Sequence, residues 1–285
     1  MIRSILFVFI LILSAGIEVA ETQPVIRGKI IDADTKKPVP FAHVIVRNGD
    51  SGSVTKPDGR FELNISQNEL PDSLLISSLG YHDKIVAADT QNYLYVELIP
   101  RVYKLNDISV RVTGELRRDT VGTETGNTNL YGWPSFSGSG SRGDMLSSFA
   151  IPVTWPHKIP FSIDKARIML SEANQDTLFI RFRIMSRDPQ TGLPDSNLVN
   201  QNIVVAKSKS SGWVEFDLET GQYWFSEKEI FLVFDWISDG GSDKYIAPMF
   251  AHKPGSGHYF FYKHATGGSW SRHEKELVYT VFGMY

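Results

Sequence analysis

His273 and Glu276 are separated by two residues, the order and spacing with which a histidine and a glutamate can ligate one zinc ion. That chemistry also needs a second, distant histidine, and none follows Glu276. The string H-E-K-E reads more simply as a polar turn before the final strand. His252, His258 and His264 recur every six residues, a period that would set them on one face of a continuous strand. Pro254-Gly255-Ser256-Gly257 interrupts that strand, so a zinc or copper cluster competes with ordinary hairpin histidines. Asp235, Asp239 and Asp243, in D-W-I-S-D-G-G-S-D, offer the hard oxygens that calcium prefers. Calcium takes about six to eight oxygens, and this spacing is not that of an EF-hand, so a glycine-rich turn is the competing reading. Apart from that calcium candidate, no cofactor is expected.

Nucleophilic chemistry finds little support. The chain has no cysteine, which removes thiol nucleophiles, thiolate metal sites, disulfides and an acylated cysteine together. Ser-Gly-Ser-Gly-Ser at 137–141 has no helix pattern after it, so it is not a nucleophile elbow. No phosphate-cradling glycine loop or dinucleotide fingerprint occurs, and no carboxylates fall in a glycosidase pattern. The expectation is a protein that is not an enzyme.

Aromatic side chains are the stronger binding candidates. In G-S-G-H-Y-F-F-Y-K-H-A-T-G-G-S-W-S-R (255–272), His258, Tyr259, Tyr262 and Trp270 gather around glycine turns and could stack on sugars or grip a partner. Strand alternation turns Phe260 and Tyr262 to one face and Tyr259 and Phe261 to the other. One pair must therefore feed the core. Trp213 and Trp236 lie in strongly periodic strands and read as core or core edge. Trp155 lies on a loop, where capping the end of a sandwich and contacting a ligand are equally open.

These residues need a frame to hold them. The 285 residues carry 29 basic and 32 acidic side chains, mixed along the chain with no basic block, which argues against a nucleic-acid partner. Arg3 precedes an apolar run from Ile5 to Leu13 that is too short to span a bilayer comfortably and reads as a signal-peptide core. Residues 1–20 are thus expected to be a signal peptide, with a retained anchor as the alternative. No later stretch is apolar enough to cross a membrane. The expected localisation is exported, in the periplasm or on the outer-membrane surface.

From Val25 onward, short alternating strands and turn signals recur about every ten residues, without helical periodicity. Pro57-Asp58-Gly59 has the residues of a tight turn with a left-handed glycine, which accounts for Asp58 without chemistry. Residues 113–144 are rich in Gly, Ser and Thr and read as a linker. Tyr131, Trp133 and Phe136 are expected to pin its second half. About eight or nine longer strands follow in 145–285, which points to a jelly-roll-type sandwich. The predicted fold is all-β, with domains at 21–112 and 145–285.

G-K-I-I-D-A-D-T-K-K-P-V-P-F-A-H-V-I-V, then G-S-V-T-K-P-D-G-R-F-E-L, then L-L-I-S-S-L-G-Y resembles the carboxypeptidase-regulatory-like domain over about residues 25–112. The resemblance implies a seven-stranded, transthyretin-like sandwich of the kind found at the N-terminus of bacterial envelope proteins. L-N-D-I-S-V-R-V (105–112) is similar to the segment that follows this domain in TonB-dependent receptors, and is read here as the sandwich's last strand. The region 160–237 resembles carbohydrate-binding sandwiches of bacterial surface proteins. Asp72-Ser73-Leu74, Asp119-Thr120-Val121 and Asp176-Thr177-Leu178 resemble the acceptor motif of an envelope O-glycosylation system, and Thr120, in the linker, is the accessible one. Together these imply a non-catalytic envelope binding or scaffolding protein, with an envelope glycan or an outer-membrane protein as partner. An accessory envelope hydrolase and a structural surface spacer are the alternatives. The mature chain should begin near Ile17 or Glu21. N-terminal sequencing of the envelope fraction checks this, and an intact Met1 would make the protein anchored.

Overall fold

The computed structural model describes residues 24–47, 49, 51–65, 72–101, 115–123, 131–134, 146–157, 159–172, 177–199, 201–208, 211–237, 249–253, 257–263 and 269–285. The expected signal peptide, the segment 105–112, Phe136, His264, Asp239 and Asp243 lie outside them. All regular structure among the described residues is β-strand, as the alternating sequence requires.

The first unit has seven strands: β1 (Val25–Asp32), β2 (His43–Val46), β3 (Gly52–Val54), β4 (Arg60–Asn64), β5 (Ser73–Ser77), β6 (Lys84–Ala87) and β7 (Leu94–Leu98). They form a three-stranded sheet, β4-β1-β7, facing a four-stranded sheet, β3-β2-β5-β6. Within the first sheet, β7 runs parallel to β1, while β4 is antiparallel to it. Strand alternation explains the core: Ile26 and Ile30 of β1, Phe61 and Leu63 of β4, Val44 and Val46 of β2, and Leu74 and Ile76 of β5 all point inward and are buried. The buried Thr55 hydroxyl ties the entry to β2 to the exit of β3, donating to the Val39 carbonyl at 2.7 Å and accepting from the Ala42 amide at 2.8 Å.

The Pro57-Asp58-Gly59 turn differs from the expected hairpin in one respect. Its flanking strands β3 and β4 belong to different sheets, so the turn is a corner between layers. Its chemistry is as expected. The Arg60 amide donates to the Asp58 carboxylate at 3.0 Å, and Gly59 has φ +78°.

The second unit is a two-sheet sandwich. One sheet has seven strands: β10 (Leu146–Thr154), β12 (Thr177–Arg187), β13 (Pro194–Asn197), β14 (Ile203–Ser208), β17 (Glu229–Ile237), β19 (Phe260–Lys263) and β20 (Ser271–His273). Its spatial order is β13-β12-β17-β10-β19-β20, with β14 also on β12. The other has eight: β8 (Arg118–Gly122), β9 (Tyr131–Pro134), β11 (Phe161–Glu172), β15 (Gly212–Asp217), β16 (Trp224–Phe225), β18 (Met249–Lys253), β21 (Glu276–Leu277) and β22 (Tyr279–Met284). Inward residues such as Phe149, Phe182, Phe216, Phe234, Phe250 and Trp236 interlock between the sheets.

Two expectations change here. Residues 118–122 and 131–134, read as linker, are strands β8 and β9, paired with β22 and β18 of the second sandwich. Glycine and threonine content hid a real pairing of β8: Val121 packs against the core. Trp155 is a core residue with no exposure, stacked on Phe161 at 4.6 Å with the rings 6° apart, so the capping reading is the correct one.

Gly59 is fixed by both backbone and space, because a Cβ there would lie 2.5 Å from the Ile30 carbonyl oxygen. Gly59→Val should therefore cost about 2–3 kcal/mol of stability. Gly221→Ala, at φ +73° but in open space, should cost about 1 kcal/mol. Denaturant unfolding of both variants checks this; equal losses would show that contact with Ile30 does not matter.

Candidate functional site

The outer face of the seven-stranded sheet is built by the residues that alternate with the core. Cross-strand register sets Arg181, Asp235, Ser148 and Lys263 in one row, and Arg183, Val233, Ala150 and Phe261 in the next. An outer face normally meets water, yet Asp235 and Val233 have no exposure, and Ser148 and Arg181 have 1% and 4%. The first unit covers one end of this face. Phe41, with φ 57°, places its ring 5.3 Å from that of Phe179 and its carbonyl as acceptor for the Arg181 guanidinium. The His43 imidazole lies 2.6 Å from Arg181 Nη1. Arginine can only donate, so His43 Nε2 accepts and the ring is neutral.

Asp235 is the anchor of this cluster. Arg183 donates to both of its oxygens, at 2.7 and 2.8 Å, and the Ser148 hydroxyl donates at 2.7 Å. Burial alone would raise its pKa, but the Arg183 charge and hydrogen bonds outweigh that, helped by Arg181, and hold it at about 2. In the structure both Asp235 oxygens are engaged by Arg183 and Ser148, while Asp239 and Asp243, the other two expected calcium ligands, lie outside the described residues. Among the described residues, no group of three or more His, Cys, Asp or Glu side chains is arranged to hold a metal ion.

Beside this contact runs a cleft of about 450 Å³ between the two units, with Ser77, Ser78 and Tyr81 on one wall and Ser196 and Asn197 on the other. A second cleft, of about 310 Å³, opens at the edge of the second sandwich and is lined by Arg187, Glu229, His258, Tyr259 and Glu276. Arg187 pairs with Glu229, and its pKa is raised by Tyr259 first and then by Glu229. Glu276 accepts from the Thr123 hydroxyl at 2.9 Å.

The predicted ligand residues divide between these environments. Tyr259 and His258 line the edge cleft, and His258 is exposed. Tyr262 is a core residue at 7% exposure, with its hydroxyl 3.2 Å from that of Ser147, so it cannot contact a ligand. Trp270 is half-buried against Phe261 and Phe231, with Lys263 Nζ 5.2 Å from its ring centre. Arg272 covers one face of Tyr259 at 3.8 Å. Thr120 is exposed, but on strand β8 rather than in a linker, and the neighbouring Asp119 carboxylate is held by His157. Sequence reasoning missed the Arg181–Asp235 row. The one signal was Arg181 and Arg183 on the outward face of a strand whose partner carries an outward Asp235.

Residues 26–110 match the CarboxypepD_reg-like domain, and the first unit is a domain of that family. The match covers less than a third of the chain and leaves the second sandwich unassigned. No curated protein matches the chain. Among solved structures, it is similar to the crystal structure of the cysteine protease and lectin-like domains of Cwp84, a surface-layer-associated protein of Clostridium difficile. That similarity has 7% identity and a TM-score of 0.36, over 48% of this chain and 32% of the other. A likeness this distant says nothing about activity or ligand.

The His43 contact gives a pH dependence. Burial pushes the imidazole well below its ordinary value, Arg181, Arg183 and Lys263 push it further, and Asp235 opposes them. In the unfolded chain the ring takes up a proton near pH 6.5, whereas in the native contact it stays neutral. Stability from this group is therefore complete above about pH 6.5 and falls below it, by up to about 1.4 kcal/mol per pH unit. His43→Gln should remove that part of the slope between pH 6.5 and 5 in denaturant unfolding; an unchanged slope would mean that the ring is already solvated.

Proposed function

We propose that this is an exported, non-catalytic binding or scaffolding protein of the bacterial envelope, whose second sandwich takes a glycan at the edge cleft. The supporting observation is the convergence of Tyr259, His258, the Arg187–Glu229 pair and Glu276 on one open cleft of sugar size. Planar charged groups with fixed hydrogen-bond directions suit sugar hydroxyls, and an aromatic wall gives apolar contact. The first unit supports the envelope assignment by family, since CarboxypepD_reg-like domains commonly sit at the N-terminus of such proteins. Both carboxylates of the cleft accept from neighbouring side chains, Glu229 from Arg187 and Glu276 from Thr123.

Screening the purified mature chain on envelope glycans tests the reading. Tyr259→Ala should weaken binding about tenfold, the effect of losing a contact of about 1–2 kcal/mol. His258→Ala should weaken it less and leave the melt unchanged, because that side chain is exposed. Binding that survives both substitutions would place the ligand elsewhere, and turnover that co-purifies with the chain would make it an enzyme.

A further inference from the structure

The cleft between the two units contains a charge that the protein does not balance. Arg181 is 4% exposed, and among the described residues no carboxylate forms an ion pair with it. Asp235, its nearest acidic neighbour, is already engaged bidentately by Arg183. Two Arg181 nitrogens are used, by His43 Nε2 and the Phe41 carbonyl, and both acceptors are neutral. The third, Nε, is buried with no hydrogen-bond partner. A buried cation without a counter-charge is costly unless something neutralises it. Burial, reinforced by Arg183 and only partly opposed by Asp235, brings the Arg181 pKa down to about 10.

Arg181 and Arg183 both line the cleft, so the excess charge adjoins a cavity and is not sealed in the core. Acidic residues do line the same cleft, but Asp83 and Asp195 are exposed, where water and salt screen them. Neither forms an ion pair with the arginines, and Asp195 accepts instead from the Ser196 hydroxyl at 2.9 Å. The cleft thus takes two buried or half-buried guanidinium groups from Arg181 and Arg183, while the exposed Arg101, Asp83 and Asp195 line it in mixed charge. Ser77 and Ser78 add neutral hydroxyls from the first unit, and Asn197 an amide from the second. This is the composition of an oxyanion site: a buried guanidinium for charge and small neutral donors for the remaining oxygens.

We propose that the interdomain cleft binds an oxyanion, a carboxylate or phosphate group carried by a ligand, with Arg181 as its principal charge partner. The site is separate from the edge cleft and needs both units, since Ser77 and His43 come from one and the arginines from the other. Binding there neutralises Arg181 and should strengthen the docking of the first unit on the second.

The test uses the mature chain and thermal melts at constant ionic strength, with chloride replaced by inorganic phosphate or by glucuronate. Either anion should raise the melting temperature saturably. A larger shift with phosphate assigns the site to phosphoryl groups, and a larger shift with glucuronate assigns it to acidic sugars. Arg181→Met should abolish the saturable shift. Because that substitution also removes the docking contact, Asn197→Asp is the second variant: it places a negative charge on the cleft wall without touching Arg181. It should weaken the apparent affinity several-fold. No saturable shift with either anion, or the same shift in wild type and both variants, would overturn the proposal.

Discussion

The bidentate pair of Arg183 with Asp235, buried on the outward face of a sheet, is the interaction on which the arrangement of this protein turns. Charges on a sheet face ordinarily stay in water, because desolvating them costs more than their attraction returns. Here the cost is met by full hydrogen bonding: Arg183 and Ser148 between them engage both Asp235 oxygens. With Asp235 committed in this way, Arg181 must look across to the first unit, where His43 and the Phe41 carbonyl receive it. One ion pair thus sets the register of the outer face, the position of the first unit and the electrostatic character of the cleft between them.

The same sheet serves two purposes along its length. Toward β12 and the first unit, the outer face is charged and covered. Further along the strands, past the Arg183 row, it becomes apolar, with Phe231, Phe261 and Met185 buried beneath the half-buried Tyr259 and Trp270. Cations complete that end too: Arg272 lies over Tyr259 and Lys263 over Trp270. Aromatic rings capped by cations hold fixed orientations, which gives the edge cleft a rigid wall. A ligand there meets Tyr259 through its edge and hydroxyl more than through a bare face.

Much of the fold was legible because alternation in strands is a strong signal. β17 is read from the sequence with its structural limits, Glu229 and Ile237, since every second residue from Ile230 to Trp236 is large and apolar. β10 escaped notice, although Phe149, Ile151 and Val153 alternate, because Pro152 argues against a central strand. The structure accommodates it: β19 pairs with β10 only through Ala150, so the missing N–H of Pro152 falls beyond that ladder. Tyr262 shows the limit of the site reading. Alternation paired it with Phe260 and implied that one of the two faces is core, but not which one. The interdomain cluster was out of reach, because nothing local in V-I-V or R-F-R states that two strands 138 residues apart will meet.

The central claim is that the two units form one docked body through the His43–Arg181 contact. Because the chain has no cysteine, Ser78→Cys and Ser196→Cys, on opposite walls of the cleft, give a clean pair of spin-label sites. Electron-electron distance measurement on the doubly labelled chain should show a single narrow distribution at short separation. The distribution should broaden and lengthen when Arg181→Met is added. A broad distribution in the otherwise unaltered chain would contradict the account, since the two units would then move as independent domains.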